Sequence, residues 1–166
     1  MPKRPWNQVD LPVYALTTTD GSGQFNMHLL TYVQAVSMQP KYFVCAIYEG
    51  TKSLELALQH PEVVLQVLGQ QHVNLVNILG KMSGHNINKI QRLEKRKVLT
   101  QWEGFPVIAD ACGWIQLRLT PLVTKSKDLV APDHRLFLGD VTKYKSVLTQ
   151  PELRLNHLRE KKLIRI

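Results

Sequence analysis

With 166 residues, 44% of them hydrophobic and 20% charged, the chain has enough material for one packed core and too little for two full ones. No apolar run approaches the length of a bilayer span, and the basic start MPKRPWNQVD has no apolar stretch behind it, which argues against a secretory signal. The net charge of +8 is concentrated, with +4 over residues 89–97 and +5 over residues 141–166 against zero over residues 1–88; the expectation is a cytoplasmic protein forming a single domain over 1–166, with a basic tail from about residue 150.

After Pro12, VYALTTT is a β-branched and aromatic run closed by the turn signal DGSG. FNMHLLTYVQAVSM follows as a long extended segment ended by Pro40, and YFVCAIY reads as a strand buried on both faces. EGTKS is a loop leading into a helix over LELALQH, with Ser53 as its expected N-cap, and Pro61 stops that helix before the strand VVLQVL. Val73, Val76, Leu79 and Met82 recur at helical spacing. A second helix follows over NINKIQRLEKRK, with Ile87, Ile90 and Leu93 on one stripe and its charges elsewhere. WEGFPVIADACGWIQLRLTPLV returns to strand character, with Gly113 marking a bulge or a close approach, and RLFLGDVTKYKSV is another strand. The tail LRLNHLREKKLIRI fits either an arm or a short helix. Six or seven strands with two or three helical insertions, and no regular strand–helix alternation, predict a mainly β (α+β) chain closed into a barrel.

Several chemistries drop out on residue type and spacing. The two cysteines, Cys45 and Cys112, stand alone in apolar segments, and the six histidines form no H-E-x-x-H, so neither a disulfide nor a metal site is expected. GSGQFN has the G-x-G spacing of a dinucleotide loop at Gly21 and Gly23. It carries Asn26 at the third position, however, and runs into a strand, which removes the helix N-terminus that a pyrophosphate needs. The basic segments could draw nucleic acid, but only Tyr144 is interleaved with them, and a solvated helix face plus a lysine-rich tail is the preferred reading. GTKS, Gly50 to Ser53, fits a helix cap and an anion cradle equally well, since hydroxyls, a lysine and the first amides of a helix converge there.

In DHRLFLGDV, Asp133 to Val141, the alternation after His134 places that ring at the mouth of a strand, where it serves either as an ordinary polar start or as a titratable group over a pocket. His28, in an apolar strand, is solvent-facing, a core ring or a ligand contact.

Taken together, these segments resemble the flavin reductase-like, FMN-binding split-barrel family from about Leu11 to Val147. VYALTTTDGSG is similar to the family's opening strand and glycine turn. NMHLLT followed by SMQPK matches its Asn-Gly-Met-Thr-Ala-Ser and Ser-x-Asp-Pro-Pro runs at Asn26, Thr31, Ser37 and Pro40, with Thr31 in place of serine. It departs from them at Met27, His28, Leu29, Leu30, Gln39 and Lys41, with His28 in the methionine slot. Ser53 and VVLQVL occupy the places of a helix-opening hydroxyl and a Phe-Val-Val-Asn strand, with Gln66 where asparagine is usual, and Pro106, Trp114 and DHRLFLGDV follow in order. The resemblance implies a split β-barrel holding FMN, with FAD as the alternative, across a homodimer interface. It implies NAD(P)H as electron donor and an oxygenase or other acceptor as partner. By position it assigns the phosphate to Thr51, Lys52 and Ser53, and the isoalloxazine to Leu29, Leu30 and Thr31 with Asn26, His28 and Ser37 nearby. His134 would face the reacting side. Flavin reductase or oxidoreductase activity is the expectation, and a non-enzymatic FMN-binding or electron-carrier protein the alternative. Leu29 and Leu30 stand where the family has small residues, which narrows the pocket.

Overall fold

A computed structural model of the protein describes residues 4–123 and 130–164. The first three residues of the basic N-terminus and the last two of the tail lie outside them. Seven strands form one antiparallel sheet: β1 (Tyr14–Thr19), β2 (Phe25–Leu30), β3 (Val33–Met38), β4 (Lys41–Tyr48), β5 (Glu62–Val67), β8 (Gly113–Pro121) and β9 (His134–Ser146), in the order β2-β1-β5-β8-β9-β4-β3. Among the described residues the remaining strands, β6 (Leu99–Trp102) and β7 (Phe105–Ile108), pair with each other in a separate hairpin.

The two end strands of the large sheet, β2 and β3, are consecutive in the chain and joined by Thr31 and Tyr32 alone. Opposite edges of a seven-stranded sheet can be that close only if the sheet rolls up. No ladder joins β2 to β3 among the described residues, so the barrel is split along that seam. Tyr32 is tied to the far wall, its carbonyl accepting from the Ala46 N–H at 3.0 Å.

Two apolar cores explain why β1 and β5 carry almost no solvent-facing residue. Leu16, Leu65, Leu117, Ile47 and Phe137 fill the barrel, and Leu54 and Ala57 of α1 (Lys52–Gln59) close one end. On the other side of β1, β2 and β5, Met27, Val64, Leu79, Val107, Trp114 and Leu158 form a second core. Burying each such side chain is worth about 1.5–3 kcal/mol. Gln66 stands in the middle of this apolar layer, fully buried and fully used. Its Nε2 donates to Thr17 Oγ1 at 2.9 Å and its Oε1 accepts from the Ile108 N–H at 2.6 Å, while Thr17 Oγ1 donates to the Pro106 carbonyl at 3.1 Å. The β6–β7 hairpin is thereby fastened to the sheet.

The mainly β barrel matches the expectation from sequence, with several local differences. Thr51, not Ser53, caps α1: its extended backbone lets Oγ1 accept from the Leu54 N–H at 3.2 Å and donate to the Tyr48 carbonyl at 2.9 Å. The helical spacing at 73–82 yields a 3₁₀ turn over Gln70–Leu75 and a π turn over Asn77–Lys81, not one α-helix. The extended segment after DGSG is two strands, and the one after Lys97 is the β6–β7 hairpin followed by β8. Gly113 is a close approach, since a Cβ there would stand 3.2 Å from the Lys145 carbonyl oxygen; the register shift falls later, between Gln116 and Leu117. The tail forms α3 (Leu155–Glu160), docked through Leu155 and Leu158. No helix among the described residues is long and apolar enough to cross a membrane.

Candidate functional site

The outer edge of β2 sets the site. With β1 as its only ladder partner among the described residues, this strand turns alternate backbone N–H and C=O groups away from the sheet. Facing that edge are the π turn, the residues after it, and the start of α2 (Lys89–Lys95), and a cavity of about 340 Å³ lies between them. His28 and Leu29 line it from β2, Tyr48, Thr51 and Lys52 from the turn into α1, and Leu79, Ser83 and Lys89 from the opposite side. A polar cleft of about 560 Å³ adjoins it, sharing Asn26, Lys52 and Gly84.

The entrance to α1 is built to present donors. Thr51 occupies itself with the Leu54 amide, while the amides of Lys52 and Ser53 take no partner among the described residues. Those are the orphan donors of a helix start, at the positive end of its dipole. Lys52 is held by Glu55 at 2.7 Å, and His85 Nε2 donates to the Gly50 carbonyl at 3.2 Å, fixing the turn from the other side. Ser53 is buried, and its Oγ accepts from Asn26 Nδ2 at 2.8 Å. Asn26 is confined further by Gly84, where an added Cβ would come within 2.5 Å of the Asn26 amide oxygen. This contact binds the start of α1 to β2 and to the segment before α2.

Lys89 is the residue that sequence reasoning missed. The basic run 89–97 reads as a solvated face, yet Lys89 is only 4% exposed, and its ammonium donates to the Leu79 carbonyl at 2.8 Å. No carboxylate pairs with it among the described residues, and burial pushes its pKa down to about 8. The signal was present: Lys89 stands four residues before Leu93, hence on the same helix face, and these two are the buried residues of α2. A desolvated cation with one neutral acceptor, beside a cavity that also holds Lys52 and free helix amides, suits an anion.

His134 opens β9, and its Nδ1 lies 2.7 Å from Asp133 Oδ1. A carboxylate only accepts, so Nδ1 is the donor in this contact. The ring is packed between Tyr32, at a centroid distance of 4.9 Å, and Tyr48, at 5.1 Å. Tyr48 is also a wall of the cavity, so it joins the His134 cluster to the β2 site.

Of the residues singled out from sequence, Asn26, His28, Leu29, Thr51 and Lys52 line this one cavity, and Ser53 lies directly behind it. Leu30 points into the barrel core, leaving only its backbone on the outer edge. Thr31 lines a neighbouring hollow of about 280 Å³ that shares Leu29, Gly80 and Lys81 with the site. Ser37 lies apart, in a groove of about 360 Å³ with Phe43, Trp114 and Tyr144.

Known structures and families agree with this architecture. The barrel superposes on the flavin reductase PheA2 with a TM-score of 0.70 at 23% identity, covering 93% of each chain. It superposes on BorF, the flavin reductase component of a bacterial two-component tryptophan halogenase, with a TM-score of 0.72 at 13% identity, covering 90% of this chain and 88% of that one. A third likeness, to a protein of Sinorhizobium meliloti 1021 described as an oxidoreductase, has a TM-score of 0.70 at 15% identity; it covers 88% of this chain but only 46% of the longer protein. No curated protein matches the chain by sequence. The family model for the flavin reductase like domain matches residues 6–162, nearly the whole chain. The protein therefore belongs to the flavin reductase like domain family.

Proposed function

We propose that this protein is an NAD(P)H-dependent flavin reductase that holds FMN along the outer edge of β2. One observation carries the reading: the buried, carboxylate-free ammonium of Lys89 beside the cavity that receives Lys52 and the open amides at the start of α1. That donor set fits a phosphate monoester, which brings up to two negative charges and three acceptor oxygens. Lys52, Lys89 and the amides of Lys52 and Ser53 would hold it, with Thr51 fixing the turn that presents those amides. The exposed backbone edge of Leu29, Leu30 and Thr31 would meet the polar rim of the ring system, and backbone groups serve there whatever side chain is attached.

When bound, the flavin supplies hydride chemistry at N5, and the protein's part is orientation and electrostatics. Asp133 holds His134 through Nδ1, and Tyr32 and Tyr48 fix the plane of the ring, which leaves Nε2 to position a donor such as nicotinamide. Lys52 and Lys89 supply positive charge that favours electron-rich, anionic ligands over neutral ones. Two copies of the chain would complete the site by joining through the β3–β4–β9 side, where Val36 is 52% and Met38 90% exposed. An oxygenase or another acceptor would take the electrons. Cytoplasmic location belongs to the same reading.

The test is direct: purified protein with FMN is mixed with NADH or NADPH without oxygen, and the flavin band near about 450 nm is followed. Bleaching at a rate well above that of free FMN is expected; bleaching no faster than free FMN would overturn the reductase reading. A second reading, an FMN protein without nicotinamide turnover, draws on Leu29, whose Cδ1 stands 2.7 Å from where a Cβ on Gly80 would be. Tight FMN binding with no bleaching would favour it.

A further inference from the structure

His28 faces the wall of the β2 cavity, 9% exposed, and neither of its ring nitrogens has a hydrogen-bond partner among the described residues. The contrast with His72 is sharp. That buried ring accepts from the Gly69 N–H through Nδ1 at 2.9 Å and meets Asp110 Oδ1 through Nε2 at 2.8 Å. Buried Asn26 and Gln66 are likewise satisfied by side chains or backbone. An imidazole buried with two bare nitrogens lowers the stability of the protein that carries it, whereas an apolar side chain of similar size does not.

Burial first, then the nearby Lys89 ammonium and His134 ring, hold His28 down to a pKa of about 3. At neutral pH the ring is uncharged, with one N–H to donate and one lone pair to accept. A phosphate, which only accepts, is matched by Lys52, Lys89 and the α1 amides. A neutral group that both donates and accepts matches a heterocyclic edge on which N–H and C=O alternate, as on the pyrimidine rim of a flavin.

Resting on the flavin reading above, we propose that His28 is a specificity-determining residue whose neutral imidazole hydrogen-bonds the polar atoms of the flavin ring system, a contact that reads the ring and not the phosphate. The ligand-free protein carries an unsatisfied ring as the consequence.

The experiment measures dissociation constants for FMN and for riboflavin, which lacks the phosphate, by quenching of flavin fluorescence in wild type, His28→Met and His28→Gln. Thermal melting of each ligand-free protein is recorded beside it. The expected result is a loss of about tenfold in affinity for both flavins, by the same factor, in His28→Met, with His28→Gln within about threefold of wild type. Ligand-free His28→Met should melt higher than wild type. Wild-type affinity for both flavins in His28→Met overturns the proposal, and so does a loss confined to FMN, which would make His28 a phosphate residue. If His28→Met does not fold, ¹⁵N-histidine spectra of the wild type decide. Movement of the His28 ring nitrogens on adding riboflavin supports the contact, and unmoved resonances at saturation overturn it. A wild type that binds neither flavin overturns the reading of the site itself, a result distinct from a wild type that binds while His28→Met binds equally well.

Discussion

Lys89 concentrates the electrostatics of the site in one atom. Burial lowers its pKa from 10.5 to about 8, so between those values the unfolded chain holds a proton that the folded chain has released. Stability therefore rises with pH across that window, and the favourable state is lost as pH falls through about 8, where the ammonium is charged and desolvated. An anion bound beside it reverses the preference by favouring the charged form. FMN affinity is accordingly expected to fall as pH rises above about 8, and riboflavin affinity to change little. Lys89→Met should weaken FMN about ten- to a hundredfold, as expected for a charge-assisted contact worth 1.5–3 kcal/mol, and riboflavin far less. Equilibrium titrations of the two flavins at pH 7 and pH 9 check both points, and equal losses for the two flavins would place Lys89 away from the phosphate.

The β6–β7 hairpin owes its position to Gln66. Replacing that side chain by leucine keeps the volume and removes the acceptor for the Ile108 N–H and the donor to Thr17, stranding buried polar groups. A loss of about 1–3 kcal/mol for each group left unsatisfied is expected in urea unfolding of Gln66→Leu, and a change below about 0.5 kcal/mol would show that the network is dispensable. Elements of this kind were only partly legible in the sequence. The β-branched runs and the turn DGSG located β1 and the start of β2, because alternation and turn chemistry are local. The break between β2 and β3 at Thr31 and Tyr32 was not legible, since the chain stays extended and only the curl of the sheet parts the strands. GTKS left two readings open, and the capping atom turned out to be the threonine hydroxyl, freeing Ser53 for Asn26. Lys89 was hidden because net charge over residues 89–97 says nothing of which face each lysine takes. Gly84 carried no signal at all, as its need for a bare backbone comes from Asn26, far away in the chain.

At the scale of the whole molecule, the fold leaves several large apolar side chains exposed among the described residues. On the neighbouring strands β3, β4 and β9, Val36 and Met38 are exposed toward one end of the strands and Tyr48 and Leu136 toward the other. Tyr48 belongs both to this exposure and to the β2 cavity, so a second copy seated there would also bound the ligand. Met38→Glu should shift the protein toward monomer in light scattering and weaken FMN binding in parallel, because a charge within an apolar contact opposes association. A monomeric wild type that binds FMN as well as any of its dilutions would separate the flavin site from assembly. The most direct measurement is a crystal structure of the protein grown with FMN. Flavin density is expected along the outer edge of β2, with the phosphate at Lys52, Lys89 and the first turn of α1; an empty cavity at saturating FMN, or flavin seated at another place on the barrel, would overturn this placement.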